Sequence, residues 1–232
     1  SVQRQGPTIK GSHIAMVSDK ALLNTLQLFS PSLPIGAFAF SQGLEAAITS
    51  GQVADAEALE TWCGSVLRDS LQTLDCHYLR QAHQVKNTVE WSCINEQLLA
   101  YRETAELLQE DLLLGLSLSK WADERSITTP KSLENSVVAL YGWLAAILEI
   151  PEDWAVTGFL WSWLDNQVTV AAKAVPLGQN VLQGVLASLQ STVLECAERS
   201  KLTGAGSTFS TTPHLAILSA QHETQYSRLF RS

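Results

Sequence analysis

Few residues in this sequence of 232 could bind a soft metal ion, and Cys76, His77 and His83 form their only local group. Residues six positions apart on a helix point in widely different directions, so His77 and His83 would not share a face. A metal site usually needs ligands on one face or converging from several elements. We therefore predict polar residues at or near the surface here, with no metal ligand and no bound cofactor.

A second group contains the acidic residues Glu103, Glu106, Glu110 and Asp111. Steps of three and four residues resemble a carboxylate-bridged metal bundle, but the Glu-x-x-His pattern of that class does not occur. We predict instead that these carboxylates form a solvated helix face. The GxSxG nucleophile motif and the GxxxxGK[ST] phosphate loop are also missing from the sequence. Local chemistry therefore predicts no catalytic residue and favours a binding or scaffold protein.

The last eleven residues, 222–232, combine aromatic, apolar and arginine side chains, among them Tyr226, Arg228, Leu229 and Phe230. A segment rich in Gly, Ser and Thr precedes them at 203–212. Aromatic and arginine side chains are enriched at interface hot spots. The composition predicts a docking tail, which would bind either a partner or its own domain.

The segment 30–45, SPSLPIGAFAFSQGLE, is the other candidate for binding. Its two prolines prevent a continuous helix, and Gly36 permits a tight turn. Phe38 and Phe40 lie two residues apart and cannot share a helical face, so we expect one to point inward and the other toward a partner. Glu45 adds a carboxylate beside these aromatic rings.

Helical spacing of apolar residues dominates from Leu22 onward, and strand signals are nearly absent. We predict an all-α fold, a single compact domain of about eight to ten helices followed by the docking tail. Asp55 is a candidate N-cap, and Thr129–Pro130 is a candidate helix start. The predicted helices span 55–83, 88–109, 110–122, 129–150, 154–164 and 177–199, with 154–164 buried at the centre.

Composition limits the possible locations and partners. The net charge of −8 and the pI of about 5.1 argue against nucleic-acid binding, which depends on Lys and Arg. The longest uncharged stretch, 174–194, contains a proline, an asparagine and three glutamines, so no membrane span is predicted. Four cysteines without a CxxC pair predict reduced, mostly buried thiols in a cytoplasmic protein.

Residues 1–16 resemble a vector-derived leader, leaving a helical domain at 17–202 and a flexible segment with the tail at 203–232.

Several segments together resemble the urease accessory protein F family. These are the segment 30–45 already quoted, RETAELLQEDLLLG at 102–115, KAVPLGQ at 173–179 and HETQYSRLFRS at 222–232. They match the family in order and spacing along 22–232, about nine tenths of the chain.

The resemblance implies an all-helical, non-enzymatic protein that forms homodimers. Its family bridges a D-type (or H-type) urease accessory protein to the G-type GTPase. The resulting assembly delivers nickel to the urease apoprotein, with carbon dioxide and GTP hydrolysis. The resemblance therefore implies a co-chaperone of nickel insertion whose tail becomes ordered against the D-type partner.

The resemblance also suggests which residues bind partners. We assign Tyr226 and Arg228 to the D-type partner or to the tail's own docking groove. Lys173 is the only charged residue between Asp165 and Glu195. We place Lys173 and Glu45 on a surface facing the GTPase or urease, with an intramolecular salt bridge between them as the alternative. The full predicted partner-binding set is Phe38, Phe40, Glu45, Lys173, Tyr226, Arg228, Leu229 and Phe230.

The chain departs from the family pattern at several positions. Residues 38–40 lack the hydroxyl groups that the family often has there. Leu108 replaces a frequent arginine, and Leu116 replaces a polar residue, so this helix could be more buried or could form an interface.

Three alternative functions remain open. The first is a nickel-carrying metallochaperone that uses Cys76, His77 or His222. The second is a small-ligand protein or enzyme with a pocket near 154–163, where polar groups are scarce. The third is a generic helical interaction module.

Overall fold

The computed structural model describes residues 18–202, 217, 219–220 and 228–231. Tyr226 and His222, as well as the proposed leader, lie outside the described residues. Within the described residues all regular secondary structure is helical, which confirms the all-α prediction. The helices are α1 (Asp19–Leu28), α2 (Leu44–Thr49), α3 (Ala56–Val66), α4 (Asp75–Gln84), α5 (Thr88–Ala100), α6 (Ala105–Asp123), α7 (Val137–Ile147), α8 (Glu152–Ala174), α9 (Gln179–Ser188) and α10 (Gln190–Arg199).

Helix α8 lies at the centre of one hydrophobic core, as its apolar sequence predicted. Leu160 and Leu164 are fully buried. Helices α1, α2, α3, α4, α7, α9 and α10 all pack against α8. The helix is longer than predicted: it spans Glu152–Ala174, with Pro151 as its N-cap.

Helices α4 and α7 approach each other closely because the contact contains a glycine. A Cβ atom added to Gly142 would lie 2.4 Å from the carbonyl oxygen of Leu79. Real Cβ atoms essentially never come within 3.0 Å of another heavy atom. The sequence of α7 therefore permits a helix separation that any larger residue would prevent.

Several predicted helix limits are wrong. The predicted helix 129–150 begins only at Val137, where Ser136 Oγ accepts hydrogen bonds from the first turn. The predicted helix 177–199 is divided at Leu189 into α9 and α10.

The start of the predicted helix 55–83 is correct, since Asp55 caps α3. The predicted helix is not continuous, however: a π-helical turn at Leu67–Leu71 and the residues after it separate α3 from α4. The break between α5 and α6 falls at residues 101–104, where Thr104 Oγ1 caps α6, rather than at 109–110.

Among the described residues, no helix is both long and apolar enough to cross a membrane.

Candidate functional site

The tail residues 228–231 lie against their own domain, where Glu45 receives them. Glu45 is in the first turn of α2 and only 4% exposed. Its Oε1 accepts a hydrogen bond from the Leu229 backbone N–H (2.6 Å), and its Oε2 accepts one from the Phe230 N–H (3.0 Å). The Arg231 N–H donates to the carbonyl oxygen of Ala39 (2.8 Å). Three consecutive backbone donors of the tail are thus bound by fixed acceptors.

Glu106 on α6 binds the first described residue of this tail. Arg228 Nη1 lies 2.9 Å from Glu106 Oε1. The Glu106 side chain is almost entirely buried, whereas that of Arg228 is about one third exposed. A charge-assisted hydrogen bond of this kind is stronger than a neutral one. We call Ala39, Glu45, Glu106 and Lys173 the tail site.

Aromatic rings complete the tail site around Lys173. Lys173 Nζ lies 5.5 Å from the ring centroid of Phe230 and 5.7 Å from that of Phe38. Both distances are within the range of cation–π attraction. Phe230 is buried, while Phe38 is 61% exposed and Leu229 is 71% exposed. The docked tail therefore leaves an apolar outer surface.

The two phenylalanines of segment 30–45 point in different directions, which confirms that one is directed inward, while contact of the other with a partner stays a prediction. Phe40 is buried in the core and Phe38 is exposed. Gly36 has a φ of +83°, a left-handed conformation that glycine adopts without strain. The short 3-10 turn Ala37–Ala39 follows it. This turn directs Phe38 outward and presents the Ala39 carbonyl to the tail.

The structure places Glu45 differently from the expectation of an exposed, partner-facing carboxylate. Glu45 is buried beneath the tail, because its two oxygens accept the tail's backbone N–H groups. Lys173 is exposed and stands over two aromatic rings. That these residues bind a partner stays a prediction.

The prediction of a solvated acidic face is wrong for Glu106, Glu110 and Asp111, all of which are buried. Asp111 accepts hydrogen bonds from Arg102 Nε (2.7 Å) and from the Val137 backbone N–H (2.6 Å). Sequence reasoning missed this role because the partners lie outside the helix. The one local signal that these carboxylates could be paired was Arg102, which lies just before Thr104, the cap of the same helix.

Arg102 joins two buried carboxylates in a group that we call the Arg102 cluster (Asp75, Arg102 and Asp111). Arg102 Nη2 lies 2.8 Å from Asp75 Oδ1. Burial disfavours the charged form of Arg102, yet Asp111 and Asp75 raise the pKa of its guanidinium above the ordinary value. Burial also raises the pKa of Asp75, although Arg102 opposes that shift.

Gln42 connects the N-terminal segment to α6 and α8. Its Nε2 donates to Glu110 Oε1 (2.7 Å), and its Oε1 accepts a hydrogen bond from Trp163 Nε1. The backbone φ of Gln42 is +51°. A residue other than glycine adopts this conformation at a cost, so the surrounding contacts must hold it there.

The soft-ligand group gives little support to metal binding. Cys76 is fully buried, and burial raises the pKa of its thiol well above the ordinary value, which disfavours the thiolate that binds metals. His77 Nε2 is hydrogen-bonded to Gln81 Nε2 (2.9 Å). In the described part of the chain, no three His, Cys, Asp or Glu residues are placed to hold a metal ion.

Comparison with known proteins covers most of this chain. The family model UreF matches residues 53–190. The urease accessory protein UreF of Pseudoalteromonas translucida (strain TAC 125) is 40% identical over 227 residues, covering 93% of this chain and 96% of that relative. UreF of Marinomonas sp. (strain MWYL1) is 41% identical, covering 94% and 96%. UreF of Azoarcus sp. (strain BH72) is 40% identical, covering 91% and 95%.

Proposed function

Because this chain belongs to the UreF family of urease accessory proteins, we propose that it is a non-enzymatic scaffold in urease maturation. It forms a homodimer and bridges the D-type (or H-type) accessory protein and the G-type GTPase. The resulting assembly acts on the urease apoprotein. Nickel is the cargo of the assembly, and this chain holds no cofactor of its own. We propose that this maturation takes place in the cytoplasm.

The tail site is the observation that carries this proposal. Glu45 and Glu106 hold the tail through its backbone N–H groups and through Arg228. The exposed side chains of Leu229 and Phe38 then lie on the outer side. Aromatic and apolar side chains on a rigid support are typical of interface hot spots. We assign this composite surface to the D-type partner.

The contacts made by the charged residues of the tail site support binding over catalysis. Lys173 is engaged by aromatic rings, and the oxygens of Glu45 accept backbone hydrogen bonds. Neither residue is arranged as a nucleophile with its base. The site therefore orders a surface rather than activating a reactant.

Size-exclusion co-elution with the D-type and G-type accessory proteins tests the proposal. The full-length chain should co-elute with both in the presence of GTP and nickel, and a chain ending at Thr212 should lose or weaken binding to the D-type protein. Glu45→Ala should act like the truncation, because it removes the two carboxylate oxygens that accept the Leu229 and Phe230 N–H groups. Arg199→Ala, an exposed change on α10, is the matched control and should bind normally.

Failure of the full-length chain to bind either accessory protein would contradict the scaffold proposal. Light scattering of the same fractions measures the mass of the particle, and the proposal predicts two copies of this chain. A monomer at all concentrations, with partner binding intact, would contradict the homodimer alone.

A further inference from the structure

A cavity of about 90 Å³ lies between the segment 30–38 and one face of α8. Its polar lining on α8 consists of Ser162, Asp165, Asn166 and Thr169. Steps of three and four residues place these side chains on the same side of the helix. Phe38 and Tyr141 form the aromatic part of the lining. The cavity therefore combines a carboxylate with aromatic rings, next to the exposed side chain of Phe38.

Asp165 is the one charged residue that lines this cavity in the described part of the chain. It is partly exposed, and it makes no hydrogen bond and no ion pair with any described residue. Ser162 Oγ and Asn166 Nδ2 line the same face of the helix but donate to backbone carbonyls. Both oxygens of Asp165 are thus left without a donor.

No basic side chain of the described residues compensates the charge of Asp165. The only basic residue of α8, Lys173, lies two turns further along the helix, about 12 Å away along its axis, and stands over aromatic rings. Burial accordingly raises the pKa of Asp165, and no neighbouring cation opposes this shift. Because a partly buried charge without a partner costs stability, a carboxylate in this position indicates a cation supplied from outside the domain.

The chemistry of the lining favours a guanidinium group. Both oxygens of Asp165 are available, and a guanidinium binds a carboxylate through two parallel hydrogen bonds. It also stacks on aromatic rings, which Phe38 and Tyr141 supply. The buried Tyr141 has no hydrogen bond from its hydroxyl to any described residue, so its oxygen is a further acceptor in the lining. An ammonium group is a compact point charge that gains neither the fork geometry nor the stacking.

The position of the cavity indicates where this group comes from. Phe38 lines the cavity and, being 61% exposed, also belongs to the outer surface that we assigned to the D-type partner. The net charge of −8 favours a partner with a basic surface. We propose that the cavity receives an arginine side chain of that partner, with its guanidinium on Asp165 and against the ring of Phe38. This inference rests on the scaffold function proposed above and adds to it a specific point of recognition.

Calorimetric titration of the full-length chain with the D-type accessory protein tests the site. Asp165→Asn keeps the shape of the side chain and removes its charge, so it should weaken binding by about tenfold or more, as at an interface hot spot. Glu96→Gln removes an exposed charge of the same sign on α5 and is the matched control, with binding expected to stay within about twofold. The isolated Asp165→Asn protein should melt no lower than the unmodified chain, because it loses an unpaired charge.

A second variant supplies the cation from within the chain. Thr169 is exposed and lies one helical turn after Asp165 on the same face. Thr169→Arg should pair with Asp165, as opposite charges at this spacing do, and should leave the fold intact while weakening binding of the D-type protein by about fivefold or more. Unchanged binding in both folded variants would overturn the proposal. A lower melting temperature of Asp165→Asn with normal partner binding would also overturn it, because Asp165 would then be a structural residue.

The partner's side of the contact is identified by a double-mutant cycle. Exposed arginines of the D-type protein are replaced by glutamine one at a time. One replacement should weaken binding to the unmodified chain by about tenfold or more, but binding to Asp165→Asn by less than about threefold. If every replacement weakens both equally, no arginine occupies the cavity and the proposal is wrong. Failure of the unmodified chain to bind the D-type protein would instead contradict the scaffold function itself, and this inference with it.

Discussion

Helix α6 takes part in two ionic regions that differ in their access to solvent. In the tail site, Glu106 pairs with Arg228, whose side chain is about one third exposed. In the Arg102 cluster, somewhat more than one turn further along the helix, Asp111 pairs with an arginine enclosed by the core. Exposed ion pairs contribute little to stability, whereas breaking a buried pair leaves an uncompensated charge. The comparison teaches that carboxylates of one helix can form one ion pair with a partly exposed partner and another with a buried partner.

The largest expected effect comes from breaking the Arg102 cluster. Asp111→Ala leaves Arg102 with one partner and removes the acceptor of the Val137 N–H, so it should destabilise the fold by about 3–5 kcal/mol. Urea unfolding measures the loss. Asp123→Ala, an exposed change on the same helix, is the control and should stay within about 0.5 kcal/mol. A loss below about 1 kcal/mol for Asp111→Ala would show that the cluster is not structural.

A smaller effect, dependent on pH, should come from Asp75. Its folded pKa lies above the ordinary value of 3.8, so the folded state binds its proton more tightly. The stability this contributes is fully present below pH 3.8 and is lost as pH rises through the folded pKa. Asp75→Asn mimics the protonated acid, and its stability relative to the unmodified chain should therefore increase from pH 4 toward pH 7.

Asp153 is the matched control for this pH dependence. Burial would raise its pKa, but hydrogen bonds from Lys201 and Arg80 lower it below 3.8. Its contribution is present above pH 3.8 and is lost only as pH falls further. Asp153→Asn should thus show a constant difference between pH 5 and pH 7, measured by the same urea unfolding. A matching slope in both variants would refute the assignment to Asp75.

The smallest expected effect is in the tail site. A double-mutant cycle with Glu106→Gln and Arg228→Gln should give a coupling free energy of about 0.2–1 kcal/mol, as for other partly exposed pairs. Thermal unfolding of the four proteins measures it. A coupling above about 3 kcal/mol would place this pair with the buried Arg102 cluster and remove the contrast between the two regions.

Local signals in the sequence were enough to predict the helical class and some details. Asp55 caps α3 because its side chain reaches the Ala58 N–H within one turn. Phe38 and Phe40 separate because their spacing forbids a shared face. The start of α7 was placed too early, at Pro130, since Ser136 and the distant Asp111 together bind the first N–H groups.

The candidate site was harder to predict than the fold, because its geometry depends on contacts between distant segments. The tail composition indicated docking, but Glu45 is 184 residues from Leu229 in sequence. Likewise, the burial of Glu106 and Glu110 follows from Arg228 and Gln42, which no helical periodicity reveals. The acidic helix therefore looked solvated when read alone.

The central claim is that Glu45 holds the tail on its own domain before any partner binds. Hydrogen–deuterium exchange at the Leu229 and Phe230 amides, in the isolated full-length protein, tests it most directly. The account predicts slowed exchange at both amides, lost in Glu45→Ala and kept in Arg199→Ala. Exchange as fast as in an unfolded peptide, in the unmodified protein, would contradict the account.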